Sequence, residues 1–124
     1  MDHHCPFVGN CIGAANLKMF WHFLMLTSIG SFHVAFGLLF LSGKHDSTFK
    51  DQMERIDKDM SLFFASILSI AVSVSTGMMF WLHTYMILKN RTTIENLSLI
   101  KNGNPFDRGS KNNWISVFGK GWFL

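Results

Sequence analysis

At 124 residues the chain has the length of one domain, yet 48% of it is apolar and its 13 phenylalanines gather in two uncharged blocks, a membrane pattern and not that of a water-soluble fold. The net charge of +3 is carried outside those blocks without a basic tract, which excludes nucleic acid as a partner. Two cysteines make no disulfide framework and suit a reducing, cytosolic face, and the polar start does not read as a signal peptide.

From its start the chain reads as an irregular loop over residues 1–19, punctuated by Pro6, Gly9 and Gly13, with Asn10 and Asn16 as residues that bond turns or tolerate left-handed backbone. Here Asp2, His3, His4 and Cys5 set an acid, two imidazoles and a thiol side by side, and Cys11 follows six residues later. A free thiol, with a pKa of about 8.5, is a weak nucleophile until a base or a positive field makes it thiolate. His3 or His4 can serve as that base, oriented by Asp2. The remaining imidazole and Cys11 have the borderline-soft character that zinc prefers. Two ligands do not close a structural zinc site, which takes four, so the other donors must come from chain outside this sequence. The plainer alternative is a solvated start and an ordinary loop cysteine.

Residues 20–41 contain no Asp, Glu, Lys or Arg. At about 1.5 Å per residue that run reaches across a hydrocarbon core of about 30 Å. Phe20, Trp21 and His22 fall where an aromatic belt belongs. His33 lies mid-span, where a polar group needs a partner or a cavity. Gly30 and Ser31 are small, which fits either close helix packing or room for something long and thin. Residues 42–60 form a charged connector read as a solvated loop, with Glu54 and Lys58 spaced for a surface helical turn. Residues 61–88 are a second uncharged run, with Ser66, Ser69, Ser73, Ser75 and Gly77 as small interhelical surfaces and Trp81, His83 and Tyr85 as an interface belt. The expected fold class is an all-α membrane protein: two transmembrane helices in a hairpin, an irregular zinc-loop segment before them, and a short helix with an aromatic tail after. Lys18 and the six basic residues beyond the second run outnumber the four in the connector, so positive-inside bias puts both termini in the cytosol and the connector in the lumen.

In the tail, Thr92 and Glu95 are spaced as a capping box. The helix they start is expected to reach Lys101 and stop at Asn102-Gly103. Asn90 and Asn96 begin glycosylation sequons that a cytosolic tail leaves bare. From Asn104 onward, Pro105, Gly109, Gly119 and Gly121 mark turns, while Trp114, Ile115, Val117, Phe118, Trp122 and Phe123 are apolar bodies for a membrane interface or a groove between helices.

The run from Asp2-His3-His4-Cys5-Pro6-Phe7 through Cys11, Ile12 and Gly13, followed by Asn16 and Phe20, resembles the second half of the cysteine-rich domain of the DHHC protein S-acyltransferases, membrane enzymes that palmitoylate cysteines. Thr92-Thr93-Ile94-Glu95 resembles that family's TTxE motif, and Asn104 to Gly109 with Asn113, Phe118 and Gly119 resembles its C-terminal conserved segment. The resemblance covers nearly the whole chain but begins in mid-domain. Such enzymes carry two more membrane helices and a set of Cys and His zinc ligands ahead of the tetrad, and this sequence holds none of them.

The resemblance implies a protein S-palmitoyltransferase. Cys5 takes a fatty acyl group from palmitoyl-CoA or a similar long-chain acyl-CoA as a thioester, and a cytosolic cysteine of a protein substrate removes it in a ping-pong reaction. It further implies His3 as the base, Asp2 as its orienter, and His4 with Cys11 as ligands of a structural zinc. That division is chemically consistent, because a zinc-bound imidazole has no free lone pair with which to accept the thiol proton. Phe7 stands where the family usually has tryptophan and keeps the aromatic face without the indole donor. With Gly30 and Ser31, on the helix that helps line the acyl-chain cavity in such enzymes, it makes the candidate acyl-CoA-binding set. Thr93 is implied to position Asp2, with Thr92 and Glu95 in the same motif, and Asn113 to tie the tail to the membrane helices. The implied setting is the lipid of an endomembrane, Golgi or ER, or the plasma membrane. The alternative is a non-catalytic two-span membrane interaction protein or an inactive fragment of such an enzyme. A small metal-binding protein using Met and His ranks lower, since its ligands would have to converge across a membrane.

Overall fold

The structure, a computed structural model, describes residues 1–42, 51–97 and 104–120. Its elements are β1 (His3–Cys5), β2 (Asn10–Ile12), α1 (Leu17–Ser42), α2 (Asp51–Lys89), α3 (Thr93–Leu97) and α4 (Ser110–Phe118). Among the described residues the chain is mostly helical, and two helices are long and apolar enough to cross a membrane, over Leu17–Leu38 and Met60–Lys89. The fold is thus the all-α membrane class, with one small ribbon added. Two compact units divide it: Met1–Leu24 with Met79–Leu124, and Met25–Met78.

The first unit opens on a departure from the irregular loop expected over residues 1–19. β1 and β2 pair antiparallel, with His3 opposite Ile12, His4 opposite Cys11 and Cys5 opposite Asn10. Strands of three residues are too short to show a period of two, so no alternation marked them in the sequence. The turn closes because Gly9 adopts φ +62°, the left-handed region that glycine enters without steric cost. Asn16 then joins the hairpin to α1. Its side-chain oxygen accepts from the Gly13 amide at 2.8 Å and its amide donates to the Cys11 carbonyl at 2.9 Å. The aromatic start of α1 is packed inward and does not form a belt. Phe20 and Trp21 are buried, and the Trp21 indole donates to Thr84 Oγ1 at 2.9 Å.

α2 ends in a cap that its sequence explains. Asn90 takes φ +47°, the Arg91 amide donates to the Met86 carbonyl at 2.9 Å and the Asn90 amide to the Ile87 carbonyl at 3.1 Å, the paired bonds of a Schellman motif. The carbonyls beyond are taken by asparagines of the tail: Asn104 Nδ2 donates to Lys89 and Asn90, and Asn113 Nδ2 to Leu88 at 2.8 Å. α4 follows, and Trp114 stacks on Phe118 with ring centroids 4.2 Å apart, both rings edge-on to Trp21. Of the two settings for the aromatic tail, this part lies against α1 of its own unit, while Trp122 and Phe123 fall outside the described residues.

The second unit holds the middle of both spans. Ser28 Oγ donates to the Ser73 carbonyl at 3.3 Å and Ser73 Oγ to the Ser28 carbonyl at 3.2 Å, and a Cβ on Gly77 would stand 3.1 Å from Ser28 Oγ. Small residues let the helices approach there, as membrane packing favours. Close packing is therefore made by Gly77, whereas Gly30 has nothing within 4 Å of where a Cβ would stand. Phe32, Phe36, Phe63, Phe64 and Leu68 are exposed, and only 6% of the apolar window of α2 is buried. A soluble core helix would hide such residues, whereas lipid is a favourable surrounding for them. α2 also begins at Asp51, inside the stretch read as a solvated loop, because Glu54, Lys58 and their neighbours are good helix formers with opposite charges four apart. Residues 43–50 lie outside the described residues.

Candidate functional site

The hairpin separates two kinds of chemistry by strand alternation. His3 and Cys5, two apart, leave one face of β1, and His4 leaves the other, opposite Cys11. On the inner face Cys5 joins Ile12, Phe20 and Leu24 in an apolar cluster against which Leu17 and Phe80 pack. On the outer face His4 and Cys11 are exposed, with Cys11 Sγ 3.6 Å from His4 Nδ1. A cysteine and a histidine paired this way fit two of the four positions of a tetrahedral structural zinc.

Asp2 is the buried hub, 8% exposed. Its Oδ2 accepts from His3 Nδ1 at 2.6 Å and from the Thr93 hydroxyl at 2.7 Å, and its Oδ1 accepts from the Thr93 amide. Burial pushes this carboxyl up, but the bonds from the Thr93 amide, His3 and the Thr93 hydroxyl outweigh it, so its pKa lies below the usual 3.8. Because Asp2 accepts at His3 Nδ1, the neutral ring carries its hydrogen on that nitrogen and its lone pair on Nε2. His3 Nε2 is buried and has no hydrogen-bond partner among the described residues. This is the tautomer a general base requires, on the strand face it shares with Cys5.

Thr93 can hold Asp2 because its neighbours fix the start of α3. Thr92 and Glu95 make the reciprocal capping box: the Thr92 amide donates to Glu95 Oε2 at 2.8 Å and the Glu95 amide to Thr92 Oγ1 at 3.3 Å. The expected helix end at Lys101 to Gly103 lies outside the described residues. Asn113, 1% exposed, accepts from the Arg108 amide at 3.0 Å and donates to Asp107 Oδ1 at 2.7 Å besides its bond to Leu88. Phe7, at the hairpin tip, is 94% exposed. Gly30 is exposed and Ser31 half-buried, both in the other unit.

One neighbour was missed. His83, read as a belt residue between Trp81 and Tyr85, is 2% exposed, and its Nε2 lies 3.9 Å from Asp2 Oδ2, while Trp81 and Tyr85 are exposed as that reading requires. No local signal tells an inward histidine from an outward one on an apolar helix. Asp2, His3 and His83 have donor atoms within 4.8 Å of one another, a spacing that could hold a metal ion. Asp2 and His83 also line a cavity of about 270 Å³ with Leu17, Met86, Arg91 and Ser116.

Comparison with known proteins agrees with these features. The family model of the DHHC palmitoyltransferase matches residues 1–100. Relatives include the palmitoyltransferase PFA3 of Debaryomyces hansenii, 31% identical over 99% of this chain and 36% of that protein. The probable protein S-acyltransferase 13 of Arabidopsis thaliana is 34% identical over 100% of the chain and 42% of the relative. The palmitoyltransferase ZDHHC2 of Danio rerio is 34% identical over 100% and 36%. The chain thus spans about two fifths of the length of these relatives. With the family model covering most of its residues, the chain belongs to the DHHC palmitoyltransferase family.

Proposed function

We propose that the protein is a protein S-palmitoyltransferase that moves a long-chain acyl group from acyl-CoA to protein cysteines through an acyl-enzyme on Cys5. The observation that carries this reading is the Asp2–His3 pair, fastened by Thr93 and leaving the lone pair of His3 Nε2 on the strand face of Cys5. In the first half-reaction His3 Nε2 takes the proton of Cys5, and the thiolate attacks the thioester carbonyl of acyl-CoA. The bond from the carbonyl carbon to the CoA sulfur breaks, and the departing thiolate takes the proton back from His3. In the second, His3 deprotonates a substrate cysteine, whose thiolate attacks the Cys5 thioester and takes the acyl group. Cys5 leaves as thiolate and is reprotonated by His3. Asp2 holds the imidazole in the tautomer this needs and stabilises the imidazolium that forms.

Phe7, Gly30 and Ser31 are the residues proposed to meet acyl-CoA, the last two along its acyl chain. His4 and Cys11 are proposed to hold a structural zinc together with donors from elsewhere. Bound there, the metal supplies no chemistry beyond fixing the hairpin on which His3 and Cys5 are carried. The test is a pulse and chase: full-length protein with a clickable palmitoyl-CoA analogue should gain a label released by neutral hydroxylamine. That label should pass to a cysteine-bearing substrate protein once free acyl-CoA is removed. A stable label that no thiol substrate removes would overturn the ping-pong scheme.

Acyl-CoA and substrate thiols are cytosolic, so the reading also requires both termini on that side, as the excess of basic residues outside the connector favours. A sequon inserted near Asp51 should receive a glycan and one appended after Leu124 should not. The reverse pattern would remove Cys5 from its acyl donor, and the acyltransferase reading with it.

A further inference from the structure

His83 has no part in that scheme, and its surroundings ask for a reason. Its Nδ1 lies 2.9 Å from the Met79 carbonyl, which can only accept, so the neutral ring carries its hydrogen on Nδ1 and its lone pair on Nε2. That Nε2 is buried without a hydrogen-bond partner among the described residues, 3.9 Å from the Asp2 oxygen that also accepts from His3 and Thr93. The ring centroid is 5.6 Å from that of His3 and 5.1 Å from that of Phe20. A buried acceptor left unpaired has lost its hydration with no bond in return. Phenylalanine would fill the same space, edge-on to Phe20, without that cost. Packing therefore accounts for a ring at position 83 and not for its nitrogen.

We infer that His83 is a positioning residue of the transfer reaction, acting through His3 and Asp2; the inference rests on the acyl-transfer reading. Locked by Met79, the ring presents the negative end of its dipole to the Asp2–His3 pair, where positive charge arises when His3 takes a thiol proton. A fixed dipole aimed at developing charge in a dry site stabilises it without reorganisation. The two donors of Thr93 keep the Asp2 carboxylate in place against the same dipole.

The experiment is single-turnover formation of the hydroxylamine-sensitive acyl-enzyme from palmitoyl-CoA by full-length protein in detergent, comparing wild type, His83→Phe and His83→Gln. His83→Phe should keep wild-type helical content and the wild-type half-saturating palmitoyl-CoA concentration while its rate constant falls roughly tenfold. His83→Gln, whose amide oxygen can reach the place of Nε2, should stay within about threefold of wild type. A Phe variant as fast as wild type would leave only a space-filling ring, and equal loss in both variants would remove the role of the acceptor. Either result overturns the inference. Should the Phe variant not fold, His83→Leu takes its place with the same two outcomes. A wild type that forms no acyl-enzyme fails the proposed function itself, and this inference with it. An active wild type matched by the Phe variant fails this inference alone.

Discussion

Replacing Cys5 with serine should abolish the hydroxylamine-sensitive acyl label, to below about a hundredth of wild type, because a hydroxyl is far less acidic than a thiol and the imidazole that activates the latter hardly activates the former. The substitution is mild structurally. Cys5 contributes one small side chain to the cluster with Ile12, Phe20 and Leu24, and the β1–β2 pairing runs through backbone bonds. Helical content by circular dichroism should therefore match wild type, which separates loss of chemistry from loss of fold. Serine that became acylated would hold the group as an oxyester, stable to neutral hydroxylamine. Label that persists in Cys5→Ser and is still released by neutral hydroxylamine would falsify the assignment of the nucleophile, and Cys11, exposed on the outer face, would be the thiol to examine next.

Asp2→Asn should lower the rate of acyl-enzyme formation by about a thousandfold with little change in apparent affinity for acyl-CoA. The carboxylate accepts from three donors: His3 Nδ1, the Thr93 hydroxyl and the Thr93 amide. An asparagine amide meets at least one of them with a donor of its own. Turned so that its NH2 faces His3, it favours the tautomer with hydrogen on Nε2, which cannot take a proton from Cys5. Thr93→Val removes one hydroxyl bond and leaves the amide bond, so its loss should be about tenfold, the scale of one hydrogen bond. Asp2→Asn within a few-fold of wild type would show that His3 does not work through Asp2. The same carboxylate gives the fold a pH dependence of known sign. With its folded pKa below the usual 3.8, its contribution is present above that value and is lost as pH falls through the lowered one, so neutral and mildly acidic buffers leave the clamp intact.

How much of this was legible before folding depended on how local each signal is. The tetrad beside Cys11, the capping box of Thr92 and Glu95, and the two uncharged runs are patterns within a few residues or a steady composition, and each appears in the structure as motif, cap or helix. The hairpin at residues 3–12 was hidden because strands of three residues are shorter than the pattern that reveals strands. The helical start of α2 was hidden behind the charges of the connector, since a charged helix turn and a solvated loop have the same composition.

By itself, then, the sequence determined that the chain carries two uncharged runs long enough to cross a membrane, that it holds an acid-imidazole-thiol cluster, and that its motifs resemble those of an acyltransferase. These follow from hydropathy and neighbouring side chains, which no later packing can change. Read without the resemblance, the residues left His3 and His4 as equal candidates, and the tertiary structure shows that His3 bonds Asp2, because strand alternation sends the two imidazoles to opposite faces. The resemblance implied that Thr93 positions Asp2 and that Asn113 ties down the tail, and the structure supplies the contacts: Thr93 reaches a carboxylate 91 residues away and Asn113 donates to the carbonyl of Leu88. Tertiary structure alone turned His83 inward to Asp2 while Trp81 and Tyr85 stayed exposed. The physical reason is common to all of these. The direction a side chain points from a helix or strand is fixed by how that element is rotated against its neighbours, and contacts distant in sequence exist only once the chain has closed on itself.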